Sequence, residues 1–211
     1  MKIARNTSGC RGFTLIELLV ALTVSSIILT AVCTLAYALG SVNETSSDIS
    51  QKQAQVRYVT NRISELLRHC KLVCGTVGDD MAIWRADENR DGQIGPNELV
   101  YLEAGSSRNY LKLLEFPSAS GANVALSAIR SGTAKQSLIN SYDERRTTLV
   151  PVCSNVQFLV QPASPWSKFA AVSFDLAEDG TARRYQISGA LRGWAGNLLS
   201  ADGSSIVSDD D

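Results

Sequence analysis

The sequence Gly12-Phe13-Thr14-Leu15-Ile16-Glu17 stands at the head of an apolar run, residues 18–40, that contains no charged residue. At about 1.5 Å of rise per residue, a helix of this length is long enough for a hydrocarbon core of about 30 Å. Glu17, directly before this charge-free run, is in an unfavourable position. A carboxylate near the end of a membrane-spanning segment costs on the order of 1–3 kcal/mol unless something accommodates it. The stretch therefore predicts a membrane helix whose one carboxylate lies at the headgroup level or has a cationic partner.

Charge is distributed unevenly around this helix. Lys2, Arg5 and Arg11 precede it, and no acidic residue occurs before Glu17. By the positive-inside rule, the N-terminus is expected in the cytoplasm and the rest of the chain across the membrane. The formal net charge of the 211 residues is −1, so the sequence offers no overall positive field for nucleic acid.

Three interpretations of the N-terminus are open. A cleaved secretory signal is supported by Ala36-Tyr37-Ala38, which is an A-x-A-type site. The apolar run is, however, longer than the about 7–15 residues of a signal-peptide core, and Glu17 heads it. A plain signal anchor explains the length of the run but gives no reason for Glu17. The third interpretation is a short leader that is cut after Gly12.

The third interpretation rests on a resemblance. Residues 12–22 resemble the N-terminal signature of type IV pilins and type II secretion pseudopilins. The resemblance implies that a prepilin peptidase cuts between Gly12 and Phe13 and that the new N-terminal Phe13 is methylated. Our hypothesis for Glu17 is an assembly role, because pairing with the α-amino group of a neighbouring Phe13 would relieve the cost of an uncompensated charge. The expected partners are the prepilin peptidase, other minor and major pseudopilins, and the inner-membrane assembly platform.

A second apolar pattern follows a polar stretch at residues 41–50. Its members recur at helical spacing: Ile49, Val56, Val59, Ile63, Leu66, Cys70 and Val73. Polar residues fill the intervening positions, so the pattern predicts an amphipathic helix that packs on one side. Gly75 is the expected helix terminator, which places the amphipathic part of the helix at residues 41–75.

The cysteines divide by location. Cys10 and Cys33 fall in the leader and the apolar run, whereas Cys70, Cys74 and Cys153 fall in the part expected to be exported. In an oxidising compartment one disulfide among these three is plausible. Cys70 and Cys74 are one helical turn apart, a poor geometry for bonding to each other, so the preferred pairing is Cys153 with one of them. Three buried free thiols are the alternative.

Residues 87–98 match the EF-hand calcium loop at every diagnostic position. The predicted ligands are the side chains of Asp87, Asn89 and Asp91, the backbone carbonyl of Gln93 and the carboxylate of Glu98. Ile94, at the eighth position, is expected to anchor the loop to the core. The flanking residues 81–86 and 99–103 are typical of strands, whereas an EF-hand has helices there. We therefore predict an isolated loop that binds Ca²⁺ as a structural staple, with an acidic solvated turn as the alternative.

The rest of the chain predicts an α+β fold, in which an antiparallel sheet packs on the amphipathic helix. The predicted strands after the loop are residues 110–116, 148–152 continued at 156–160, 168–176 and 183–191. The predicted organisation is a leader at 1–12, a membrane half-helix at 13–40, the amphipathic half at 41–75, a β-rich domain at 76–199 and a disordered tail at 200–211. By resemblance, this is a pilin-like fold.

No catalytic constellation is evident, and His69, the only histidine, is expected to be a polar surface or interface residue, so we expect no enzyme. Residues 84–101 around the D-x-N-x-D-G loop, with Tyr185-Gln186-Ile187-Ser188 and the following Leu191-Arg192, are similar to the J-type minor pseudopilins. That resemblance implies a subunit of the tip complex that primes the type II secretion pseudopilus, anchored in the bacterial inner membrane with a periplasmic C-terminal domain. The alternatives are a type IV pilus minor pilin and, from another class, a secreted calcium-binding module that would begin at Leu39.

Overall fold

A computed structural model describes residues 14–121, 123–178, 180–192 and 195–207. The chain divides into two compact units, Met1–Gln51 and Lys52–Asp211. The helices are α1 (Leu15–His69), α2 (Leu126–Ser131), α3 (Thr133–Ser141) and α4 (Ala195–Leu198), with a 3₁₀ turn at Pro96–Glu98. The strands are β1 (Leu72–Val77), β2 (Asp80–Trp84), β3 (Leu99–Glu103), β4 (Leu111–Glu115), β5 (Arg145–Val150), β6 (Ser154–Gln161), β7 (Phe169–Glu178) and β8 (Thr181–Ala190).

In the first unit, the segment Leu15–Gly40 of α1 is the one described segment that is long and apolar enough, by length and composition, to cross a membrane. Four of its hydroxyl groups, those of Thr23, Ser26, Thr30 and Thr34, are hydrogen-bonded within the helix. Thr23 Oγ1 donates to the carbonyl of Val20 at 2.8 Å, and Thr30 Oγ1 donates to the carbonyl of Ser26 at 2.8 Å. These side chains therefore need no polar partner outside the helix, which suits a lipid environment.

In the second unit, α1 buries one face. Val59, Ile63 and Leu67 follow one another at intervals of four residues and are all 0% exposed. They share a cluster with residues from both of the sheets described below. The amphipathic pattern thus predicted Val59 and Ile63 on the buried face, whereas the fully buried residue of the next turn is Leu67 and the predicted Leu66 is partly buried. The antiparallel α+β architecture is confirmed.

The helix ends at His69, six residues before the predicted end at residue 75. Its last backbone bond runs from the Cys70 N–H to the Leu66 carbonyl, and the next N–H, of Lys71, donates to the carbonyl of Trp84 at 3.0 Å. This bond to β2 draws the chain out of the helix and into β1. The prediction of a helix through residue 75 was wrong because the apolar residues after the helix continue its spacing by coincidence.

A five-stranded antiparallel sheet has the order β1-β2-β3-β4-β5. One of its faces packs on α1, and the other packs on α2 and α3 in a second cluster that includes Trp84 and Phe116. Because both faces are covered, every residue of β3 is buried. This explains why the central strands β2 and β3 are nearly continuously apolar and do not alternate.

A second antiparallel sheet has the order β6-β7-β8 and packs on α1 through residues such as Val172 and Phe174. The strand pattern predicted one sheet, with residues 156–160 continuing residues 148–152. The structure separates them, because the chain turns at Pro151 and the Cys153 N–H donates to the Asn109 carbonyl at 3.0 Å. Proline lacks the N–H needed to continue the ladder of β5.

The predicted disordered tail at residues 200–211 is ordered as far as the structure describes it. The Val207 N–H donates to the Leu198 carbonyl, and Leu199 forms an isolated bridge with Ile206. Gly203 packs so closely on Trp166 that an added Cβ would lie 3.0 Å from the indole nitrogen. Residues 208–211 lie outside the described part of the chain.

The predicted disulfide is absent, since Cys70, Cys74 and Cys153 are free, buried thiols. Cys74 lies on β1 with its side chain in the cluster around Trp84, whereas Cys153 packs in the α1 cluster on the other face of the sheet. The Cys70 thiol donates to the Leu67 carbonyl at 3.3 Å. Burial raises the pKa of Cys70 and of Cys74 to about 12 and that of Cys153 to about 11.

These thiols make stability depend on pH. Above the ordinary thiol pKa of 9.0, the unfolded chain releases protons that the folded chain retains. The free energy of unfolding therefore falls as the pH rises from about 9 towards 12. We expect Cys74→Ala to flatten this fall in urea unfolding of the detergent-solubilised chain, and Cys33→Ser, at an exposed position, to leave it unchanged.

Iodoacetamide should label all three buried cysteines, Cys70, Cys74 and Cys153, in denaturant without reductant. Protection of Cys153 from labelling would contradict the free-thiol assignment.

Candidate functional site

Glu17 lies in the first turn of α1 and is hydrogen-bonded to Thr14. Its Oε2 accepts the Thr14 backbone N–H at 3.1 Å and the Thr14 hydroxyl at 2.9 Å, and Thr14 Oγ1 lies 3.4 Å from the Glu17 backbone nitrogen. This reciprocal arrangement is a capping box, in which two side chains satisfy N–H groups that the helix leaves unpaired. A carboxylate is also favoured there by the positive end of the helix dipole.

The local partner of the Glu17 carboxylate in a single chain is therefore Thr14. The sequence contains the spacing of a capping box, Thr14-x-x-Glu17. The hydrogen bonds between Thr14 and Glu17 were nevertheless not among the predictions. The predicted processing residues, Gly12 and Phe13, lie outside the described residues.

The acidic loop joins β2 to β3, as predicted, and its side chains bind its own backbone. Asp87 accepts the N–H groups of Asp91 at 3.2 Å and Gly92 at 3.0 Å. Asn89 Oδ1 accepts the Asp91 N–H at 3.1 Å, and Asp91 Oδ1 accepts the Gln93 N–H at 2.8 Å. These bonds gather three of the predicted ligand side chains around one tight turn.

Two residues of this turn have left-handed backbone conformations: Arg90 has φ of 59° and Gly92 has φ of 67°. Glycine adopts such a φ at no steric cost, which accounts for its place at the sharpest part of the loop. Ile94 is 0% exposed and anchors the loop in the Trp84 cluster, as predicted.

Glu98 has a different environment from the other predicted ligands, because it is 0% exposed. Its Oε2 accepts the Trp84 indole N–H at 3.1 Å and the Gly95 N–H at 3.0 Å, and its Oε1 accepts the Glu88 N–H at 2.7 Å. The carboxylate thus ties both ends of the loop to a core tryptophan. In the described parts of the chain, no group of three or more His, Cys, Asp or Glu side chains is arranged to hold a metal ion.

Two more buried carboxylates, which the sequence analysis did not single out, are paired with cations. Glu115 accepts two hydrogen bonds from Arg145, the shorter at 2.8 Å, and one from Arg85 at 3.3 Å. Glu103 lies 2.6 Å from the Lys135 ammonium, which also binds Asp80 at 2.6 Å. Burial acts to lower the pKa of Lys135, but its hydrogen bonds to Asp80 and Glu103 outweigh that and raise it. These pairs link β5 to β4 within the five-stranded sheet and fasten α3 to β2 and β3.

Comparison with known proteins identifies the N-terminal segment. The family model described as the prokaryotic N-terminal methylation motif matches residues 7–32, which include Gly12, Phe13 and Glu17. No curated protein and no solved structure matches the chain. The motif is the type IV pilin and pseudopilin signal, so it supports a pilin-like protein and indicates a structural subunit, processed by prepilin peptidase and assembled with other pilin subunits. With the apolar helix behind it, the motif indicates a single-pass membrane anchor.

The Glu98 contacts predict a large effect of removing the carboxylate. Glu98→Ala would leave three N–H donors without an acceptor, so we expect the free energy of unfolding to fall by about 3–5 kcal/mol and the Trp84 fluorescence to shift to the red. Glu98→Gln keeps one oxygen acceptor and should lose less. Glu88→Ala, at a side chain that is 55% exposed, is the matched control and should change stability by less than about 1 kcal/mol. Equal effects of Glu98→Ala and Glu88→Ala would contradict this role.

Proposed function

We propose that the chain is a minor pseudopilin of the J type, a structural subunit of the complex that primes the type II secretion pseudopilus. The observation that carries the proposal is the match of the methylation motif to residues 7–32, at the head of the helix Leu15–Gly40. The similarity of residues 84–101 and 185–192 to J-type subunits supports the finer assignment. The partners are then other minor and major pseudopilins, the prepilin peptidase and the inner-membrane assembly platform.

In this proposal the membrane helix holds the subunit in the bacterial inner membrane, with the N-terminus in the cytoplasm and the β-rich domain in the periplasm. The basic residues before the helix, Lys2, Arg5 and Arg11, support this orientation by the positive-inside rule. A type IV pilus minor pilin carries the same motif and is the second candidate. Secretion and piliation phenotypes of a deletion strain separate the two systems.

Cleavage after Gly12 would create an α-amino group at Phe13 beside the capping box. In a filament, Glu17 would then exchange its hydrogen bonds with Thr14 for an ion pair with the Phe13 ammonium of a neighbour. Both sets of bonds use the Glu17 carboxylate, but the ammonium adds the Coulomb attraction of an opposite charge in a poorly solvated site, so the exchange favours assembly.

The test of this function uses Glu17→Gln, which keeps a hydrogen-bonding side chain but removes the charge. We expect the variant to be processed like the wild type, with methylated Phe13 as its N-terminal residue, and to enter the filament complex about tenfold less well. Edman sequencing or mass spectrometry of the mature chain reads the processing, and co-purification with tagged pseudopilins reads the assembly.

A mature N-terminus at Leu39 would overturn the pilin-type assignment in favour of the secreted module. Processing at Phe13 with full assembly of Glu17→Gln would keep the assignment and remove the role of Glu17. Thr14→Ser, which retains the hydroxyl of the capping box, is the control and should assemble like the wild type.

We also propose that the loop at residues 87–98 binds Ca²⁺ and staples the β-rich domain. Its support is the donor set: Asp87, Asn89 and Asp91 are held around one turn by backbone N–H groups. The Gln93 carbonyl and Glu98 would complete the set, since Glu98 Oε1 accepts one described hydrogen bond and retains a lone pair. Because these side chains do not form a group that could hold a metal ion in the structure, binding requires Asp87, Asp91 and Glu98 to move closer together.

Calcium should therefore raise the melting temperature of the detergent-solubilised chain. At ten to a hundred times the dissociation constant, the gain in the free energy of unfolding is about 1.4–2.7 kcal/mol. Asp91→Ala, at an exposed position, should abolish the gain, while Asp143→Ala, an exposed carboxylate outside the loop, should retain it. If the wild type shows no calcium-dependent shift relative to a chelator, the loop is a metal-free turn.

A further inference from the structure

The three-stranded sheet has one face that does not pack on α1. β7 directs Ala170, Val172 and Phe174 into the α1 cluster. Alternate residues of a strand point to opposite sides, so Ala171 and Ser173 point to the other side, which we call the outer face.

The outer face is concave because of the size of its side chains. In register, Ser173 of the middle strand lies between Gln157 of β6 and Gln186 of β8, and Ala171 lies beside Leu159 of β6. Small residues on the middle strand and long residues on the outer strands form a trough along β7, which we define by Gln157, Leu159, Ala171, Ser173, Arg184 and Gln186. The trough opens into a cleft of about 390 Å³, within the size range of ligand sites.

Arg184 lies across this trough and is held by neutral groups. Its Nη2 donates to Gln157 Oε1 on the far side at 2.6 Å and to Ser173 Oγ at the bottom at 3.2 Å. Asp175 is opposite Arg184 in register, but its Oδ2 accepts a hydrogen bond from Asn155 at 2.7 Å. Within the described residues, the hydrogen-bond partners of Arg184 are therefore an amide and a hydroxyl group. A guanidinium binds a carboxylate more strongly than either of these neutral groups.

The charged residues that line the cleft also leave the Arg184 guanidinium without a carboxylate partner. Two arginines and one aspartate line the cleft, and the aspartate, Asp79, is bound to Arg108 at 2.8 Å. Among the residues that line the cleft, one positive charge thus has no carboxylate partner, because Asp175, opposite Arg184 in register, lies outside this lining. A ligand with a negative charge complements this positive charge.

Leu159 adds an apolar contact to this site. Leu159 is 47% exposed and lies beside the polar residues of the trough. An exposed leucine and an arginine at two points along one β-sheet trough suit an extended peptide segment, whose alternate side chains repeat about every 7 Å.

We propose that the trough binds an extended segment of a neighbouring pilin-type subunit, with an acidic side chain on Arg184 and an apolar side chain on Leu159. The carboxylate of the partner takes the place of Gln157 and Ser173 on the guanidinium. The proposal rests on the proposed function, because it takes the partner to be another subunit of the assembly.

The test uses the full chain in the membrane of a host that assembles the filament, with the photo-cross-linker p-benzoylphenylalanine at Leu159. We expect an adduct whose peptide, identified by mass spectrometry, comes from a protein with the methylation motif and contains Asp or Glu within about two residues of the cross-link. Arg184→Glu should lower the adduct yield about tenfold or more. Arg183→Glu is the matched control, because Arg183 is next to Arg184 on β8, points to the opposite side of the sheet and pairs with Glu178 at 3.3 Å.

The outcomes separate this proposal from the proposed function. A second cross-linker at Ile28, in the membrane segment of α1, reports assembly by itself. Adducts to pilin-type subunits from Ile28 but not from Leu159 would overturn the trough and leave the function intact, as would a Leu159 adduct that survives Arg184→Glu. No adduct with a pilin-type subunit from either position would overturn both.

Discussion

The fold of the second unit depends on one constraint, which is that a single face of α1 must be covered by two sheets at once. Val59, Ile63 and Leu67 are fully buried, and the cluster around them takes residues from β2, β3 and β4 of one sheet and from β6, β7 and β8 of the other. A helix with one apolar face has to bury it, and neither sheet alone surrounds it. Replacing any of these side chains by alanine would open a cavity in the cluster that the two sheets share.

The sequence predicted this helix face well, because a period of 3.6 residues is a local property. It predicted the end of the helix badly, because the helix ends where the Lys71 N–H donates to the carbonyl of Trp84 in β2. That partner is distant in sequence, so local periodicity does not reveal it. The assignment of strands to one sheet failed for a similar reason. Whether β5 and β6 pair with each other or with different partners depends on the turn at Pro151 and on contacts with Asn109, neither of which a strand pattern reveals.

The candidate sites were likewise predicted where they depend on contiguous residues and missed where they depend on contacts between distant ones. The methylation motif is a short contiguous pattern, and it was predicted correctly from Gly12, Phe13 and Glu17. In the acidic loop, contiguous spacing predicted the turn between two strands and the burial of Ile94. It could not predict that Glu98 faces Trp84, because that depends on the packing of β2 against β3. The trough on the outer face was missed as well, since it arises only when three strands bring small and long side chains into register.

The hydrogen bonds between Thr14 and Glu17 have a consequence for the energetics of a filament. A free subunit already has hydrogen-bond partners for the Glu17 carboxylate at the head of its apolar helix, so an isolated charge would not drive it into a filament. In the proposed filament, the free energy that a neighbouring ammonium would supply is the difference between two sets of hydrogen bonds, and such differences are small compared with either set. An exchange of this kind would be readily reversed, so the same contact would serve both the growth of the proposed filament and its return to free subunits.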